Sequence, residues 1–170
     1  VSGLVRGCGG DWRGRKDDQG SESPRFSADA GRWRQAVESA LSQAWALVKE
    51  CPDCYDCLAH INYPLRYMAR DGQHLTLEPF RDQVEEIFRQ VAASGHALEV
   101  NTCRGMSLEE WLPLLCWFKG CGGEYVTVGS DAHQPEHMAL GIPEALELLR
   151  EVGFSHVTTY QGRRPVLHKL

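Results

Sequence analysis

The chain has 170 residues, of which 42% are hydrophobic and 24% charged, with a formal net charge of −5; that is the balance of a globular protein able to bury a core within one domain. A sequence pI of about 5.8 and dispersed charge exclude a bulk nucleic-acid or membrane-surface binder. No apolar run approaches the roughly 20 residues that a membrane span requires. Val1 to Asp11 holds one arginine and no long apolar stretch, so it does not read as a signal peptide. A start at Val1 rather than Met is expected of a fragment or a processed chain. Seven cysteines, an odd number without a secretion signal, favour reduced thiols and a cytoplasmic location over a disulfide scaffold.

Residues 1–24 interleave Gly7, Gly9, Gly10, Gly14 and Gly20 with Arg15, Lys16, Asp17 and Asp18 and lack apolar periodicity. Such a stretch cannot bury enough surface to offset its ordering entropy, so it is expected to be disordered or unrelated to the remainder. A single domain is expected from residue 25 to 170. Trp33, Val37, Ala40, Leu41, Ala44, Trp45 and Val48 recur at helical spacing, which predicts an amphipathic helix ending before Pro52. Tyr55 to His60 reads as a short strand. Leu77 to Ser94 reads as a second helix, stopped by Gly95. Ala97 to Thr102 is the next strand, and Leu108 to Lys119 the next helix, closed by a Gly-Cys-Gly-Gly turn. Tyr125 to Val128 is a β-branched strand, Ile142 to Val152 a fourth helix and His156 to Tyr160 a last strand. Alternating strands and helices predict an α/β fold with a parallel sheet and crossover helices. Four such pairs amount to about half of a closed β/α barrel.

The polar residues able to bind a ligand fall at the C-terminal ends of the predicted strands: His60 ends the first, Glu99 to Thr102 the second, and Asp131 with His133 the third. In parallel α/β folds that edge is where sites are built. Asp131 and His133, two residues apart beyond Gly129 and Ser130, allow a carboxylate and an imidazole to converge on one cation. Mixed oxygen and nitrogen donors suit Zn²⁺, Mn²⁺ or Fe²⁺ better than Ca²⁺. The bland reading is an Asp turn followed by a surface histidine. Glu99 lies in so apolar a strand that it needs a metal, an arginine or a hydrogen-bond network as partner. Arg66 and Arg104 carry the planar fork of donors that grips phosphate; a surface ion pair is the alternative for each. Cys51, Cys54 and Cys57 follow a Cys-x-x-Cys-x-x-Cys spacing that opens an iron–sulfur pattern. Here, however, Cys-Pro comes first and no further cysteine pair is near, which favours small buried residues. His137 stands four residues past His133 and reads as solvated.

Three segments then carry a resemblance: Leu58-Ala-His-Ile-Asn-Tyr-Pro-Leu-Arg-Tyr67, Ala97-Leu-Glu-Val-Asn-Thr102 and Gly122-Gly-Glu-Tyr-Val-Thr-Val-Gly-Ser-Asp-Ala-His133, with the tail from Gly153 to Leu170. From about Phe26 onward the sequence resembles the PHP family of metal-dependent phosphoesterases, and within it the histidinol-phosphatases. The resemblance implies the C-terminal part of a distorted (β/α)₇ barrel with two or three divalent metal ions, zinc, manganese or iron. It assigns His60, Asp131 and His133 to the metal and the catalysis, with Glu99 as support. Arg66, Arg104 and Asn101 fall to the substrate. The implied reaction is metal-assisted hydrolysis of a small phosphomonoester, histidinol phosphate to histidinol, in histidine biosynthesis. Family members also carry a His-x-His on their first strand; no His-x-His occurs here, and residues 1–57 hold no histidine. Two readings follow: a phosphatase portion, inactive where those ligands are missing, or a dead remnant that binds a metal or a partner. An incomplete barrel is also expected to self-associate through open strand edges.

Overall fold

A computed structural model describes residues 30–70, 72–73, 75–103 and 108–170. The expectation for residues 1–24 and the role given to Arg104 both lie outside the described residues. The first helix, α1, spans Ala30–Glu50. It buries Ala36, Val37, Leu41 and Val48 on one stripe, while Lys49 in its last turn complements the carbonyl end of the helix dipole. Pro52 cannot continue the ladder, and it opens a single 3₁₀ turn, Pro52–Cys54.

That turn brings Cys51 and Cys54 to a Cα separation of 5.4 Å, and the two are joined as a disulfide. Reduced thiols throughout were expected, so this pair departs from the sequence reading. Cys57 instead points inward and contacts the Thr127 hydroxyl at 3.1 Å, apart from any cluster.

Strand β1 is only Cys57–Leu58, shorter than the expected Tyr55 to His60. It pairs with its neighbour at two positions, after which the chain turns at His60. Helix α2, Tyr63–Arg70, was not anticipated; Pro64 fits its first turn, and Leu65 and Met68 are buried. A 3₁₀ turn at Glu78–Phe80 leads into α3, Arg81–Ala93, which buries Val84, Ile87, Phe88 and Val91 at helical spacing.

Strand β2, Ala97–Asn101, is the centre of the sheet. Helix α4, Trp111–Gly120, buries Trp111, Leu114, Leu115, Trp117 and Phe118. Strand β3 is Val126–Gly129. Helix α5, Ile142–Val152, ends at Gly153, whose φ of +91° suits a residue without a Cβ.

Strands β1, β2 and β3 form one parallel sheet in that order. The crossovers put α3 and α4 against each other, with the Phe88 and Phe118 rings edge to face at 5.3 Å. The last expected strand does not extend this sheet. It is β4, His156–Gln161, and it pairs antiparallel with an unexpected β5, Arg164–Lys169. Gly162 and Arg163, both with positive φ, make the two-residue turn between them. Among the described residues, no helix is long and apolar enough to cross a membrane.

Candidate metal centre

The carboxyl ends of the three parallel strands each leave the sheet in the same way. His60, Cys103 and Asp131 stand two residues beyond β1, β2 and β3, and their φ angles are +63°, +46° and +55°. A non-glycine residue in this left-handed region costs on the order of 1 kcal/mol or more. Only two other described non-glycine residues have positive φ, Ala139 and Arg163. One edge of one sheet thus holds most of the strained backbone, as a site built on turns would.

An arginine, an imidazole and two carboxylates meet there. Arg66, on α2, donates from Nη2 to Asp131 Oδ2 at 2.7 Å, with side chains 12% and 27% exposed. The same Nη2 lies 2.7 Å from Cys103 Sγ. Nη1 of Arg66 is buried with no hydrogen-bond partner. The guanidinium also sits over the Tyr63 ring, 5.6 Å from its centre, where a cation is favoured. Tyr63 in turn meets the His60 ring edge to face at 5.3 Å.

His60 Nδ1 is buried without a partner, and so is Glu99 Oε2. Burial pushes the Glu99 carboxyl above the usual carboxylate range; His60 and Arg66 oppose that rise and Asp131 reinforces it. Gly129 makes room for this side chain, since a Cβ there would stand 3.3 Å from Glu99 Oε1. His133 is exposed, and its Nδ1–H donates to the Asp131 backbone carbonyl at 2.8 Å. That tautomer leaves the Nε2 lone pair free, the arrangement in which histidine binds a metal.

Of the residues expected from the sequence, His60, Glu99, Asp131, His133 and Arg66 all lie at this edge. Asn101 is there too but turned inward: it is 4% exposed, its Oδ1 accepts the Cys103 N–H at 2.8 Å, and its carbonyl accepts the Trp111 indole N–H at 2.9 Å. His137 lies on the 3₁₀ turn Pro135–His137, partly buried. Cys103 and Tyr63 were not singled out from the sequence; the offset of two residues that Cys103 shares with His60 and Asp131 emerges only from the observed strand ends.

Among the described residues, no three His, Cys, Asp or Glu side chains are gathered closely enough to hold a metal ion. Asp131 is committed to Arg66 instead. The unpartnered His60 Nδ1 and Glu99 Oε2 are nonetheless the mixed nitrogen and oxygen donors that a divalent cation would satisfy. The residues present fit part of a metal centre.

Fold and edge together define a parallel α/β protein with a cluster of polar side chains at its strand ends. No family model matches the chain. Curated relatives do. It is 31% identical over 122 residues to a probable histidinol-phosphatase of Thermotoga maritima, covering 68% of this chain and 48% of that protein. It is 29% identical over 113 residues to the histidinol-phosphatase of Lactococcus lactis subsp. lactis, covering 65% and 42%. A probable histidinol-phosphatase of Clostridium acetobutylicum is 29% identical over 101 residues, covering 58% and 40%. The chain thus spans about half the length of the curated relatives it matches, or somewhat less. Among solved structures it resembles histidinol phosphate phosphatase from Lactococcus lactis subsp. lactis complexed with zinc, L-histidinol and phosphate. That likeness has a TM-score of 0.67 and 26% identity, over 79% of this chain and 52% of that one. By these similarities the chain resembles histidinol-phosphatase-like PHP proteins, matching their C-terminal portion.

Proposed function

We propose that the chain carries the C-terminal part of a metal-dependent phosphomonoesterase centre whose substrate is histidinol phosphate. The observation that carries this reading is the shared strained turn at His60, Cys103 and Asp131, each two residues beyond a parallel strand. On this reading β1 to β3 and their helices form part of a distorted (β/α)₇ barrel, and the edge receives a divalent metal and a phosphomonoester, a choice supported by the zinc, L-histidinol and phosphate held by the solved relative.

His60, Asp131 and His133 would hold the divalent metal, zinc first, with manganese or iron as alternatives. When bound, such a metal polarises the phosphoryl group and lowers the pKa of an attacking water. The chain's own residues do the rest. His133 is held by the Asp131 carbonyl with Nε2 available. Arg66 offers Nη1, which has no partner, to the phosphoryl oxygens; Arg104 is assigned the same role and Asn101 a supporting one. Glu99, favoured in its neutral form by burial, gains its charge more readily once a cation is near. Self-association through the outer edge of β1, which pairs with no strand among the described residues, belongs to the same reading.

The test is phosphate release from histidinol phosphate by the purified chain with added zinc or manganese. Metal-dependent release that falls at least about a hundredfold in Asp131→Asn is expected, since ligand removal abolishes both metal grip and charge compensation. No metal-dependent release from the unaltered chain would contradict it, leaving a metal- or partner-binding module without turnover. The absence of any His-x-His in the 170 residues is the specific observation that keeps this second reading in view.

A further inference from the structure

We infer that Cys103 is a positioning residue for Arg66, fixing which guanidinium nitrogen is left to meet the phosphoryl group; this rests on the function proposed above. Nη2 has two N–H donors, and both are taken. One goes to Asp131 Oδ2 at 2.7 Å, and the other lies against Cys103 Sγ at 2.7 Å. Nη1 keeps two donors with no partner. A guanidinium held by one carboxylate contact alone still pivots about it. A second contact on the same nitrogen, from a different strand end, fixes the plane of the fork. That is the pre-organisation a planar, two-donor grip on phosphate requires.

The thiol is itself held firmly. Cys103 has φ of +46° and is 6% exposed. Its N–H is pinned to Asn101 Oδ1 at 2.8 Å. The preceding residue anchors the turn on both sides: Thr102 N–H donates to the Gly129 carbonyl at 2.8 Å, and its hydroxyl donates to the Leu140 carbonyl at 2.6 Å. The strained turn after β2 thus repeats those that present His60 and Asp131, and what it presents is a sulfur acceptor. Charge alone would be supplied by Arg66 whatever stood at position 103; direction would not.

The experiment compares the unaltered chain with Cys103→Ala and Cys103→Ser in two measurements. The first follows the Arg66 guanidinium resonance in the ¹⁵N-labelled protein, assigned with Arg66→Lys. The second titrates inorganic phosphate into the zinc-loaded protein. Cys103→Ala is expected to broaden or shift the Arg66 resonance and weaken phosphate binding roughly tenfold, the loss typical of one hydrogen bond to a charged group. Cys103→Ser, which keeps an acceptor, is expected to recover binding to within about threefold. An Arg66 resonance unchanged in Cys103→Ala overturns the inference. So does a folded Cys103→Ser no better than Cys103→Ala, which would mark lost packing rather than a lost acceptor. If Arg66 shifts as expected while the unaltered chain binds no phosphate, the positioning stands and the proposed function fails.

Discussion

Backbone strain at His60, Cys103 and Asp131 and unsatisfied polar atoms beside them share one sheet edge, and either alone would lower stability. A left-handed non-glycine residue and a buried donor or acceptor without a partner each cost about 1 kcal/mol or more. At this edge the orphaned atoms are His60 Nδ1, Glu99 Oε2 and Arg66 Nη1: one nitrogen and one oxygen suited to a cation, one donor suited to an anion. Most of these residues were legible beforehand, because a charged or imidazole side chain after an apolar strand is chemically conspicuous. Cys103 was not, because a lone cysteine carries no pattern and its importance lies in a φ angle that no residue type announces.

At the opposite end of the strands His96 packs on Tyr55, ring centres 4.4 Å apart. Its pKa is lowered from the usual histidine range mainly by burial and also by Arg163, with Asp56 and Asp53 opposing. The unfolded chain therefore binds the proton more readily. The stabilising contribution is fully present above the unfolded value of about 6.5 and is lost as pH falls through the lower folded value. His96→Phe keeps the ring contact without the titration. Between about pH 7.5 and about pH 5.5 its Tm is expected to fall by roughly 1–2 °C less than that of the unaltered chain, as read by circular dichroism.

At the scale of elements, the helices with a long apolar stripe were foreseen and the short or polar elements were not. α5 matches its expected span of Ile142–Val152, because Pro143 near its start and Gly153 after its end punctuate it. α2 has only eight residues, too few to establish a period. β5 is exposed at every position, so it lacks the alternation that identifies a strand; the Gly162–Arg163 turn was its available signal. The parallel fourth strand was expected from β/α alternation alone, and the local hairpin took its place.

Two glycines of the turn that closes α4, Gly120 and Gly123, test the packing there. A Cβ on Gly123 would run into the Phe118 ring, whereas one on Gly120 would meet nothing within 4 Å. Phe118 is fully buried and braced by Phe88, so it has little room to yield. Gly123→Ala is expected to cost about 1–3 kcal/mol, lowering Tm by roughly 3–10 °C. Gly120→Ala, at the last residue of α4, is expected to be neutral or to stabilise by up to about 1 kcal/mol. Thermal melts of the two variants side by side separate steric conflict from a general sensitivity of this turn.

For the whole molecule, the α/β class and the placement of polar residues on one sheet edge could be read from the order of apolar runs and the residues that follow them. The pairing of Arg66 with Asp131 could not, since α2 was not expected and nothing in the sequence ties position 66 to position 131. That ion pair sets the central question, because it occupies an oxygen that the proposed metal centre would use. Zinc binding answers it most directly, measured by equilibrium dialysis and metal analysis on the unaltered chain, His60→Ala and Asp131→Asn. The unaltered chain is expected to retain zinc, with affinity falling at least about tenfold in each variant. An unaltered chain that retains none, or variants that bind as tightly as it does, would contradict a metal centre at these strand ends.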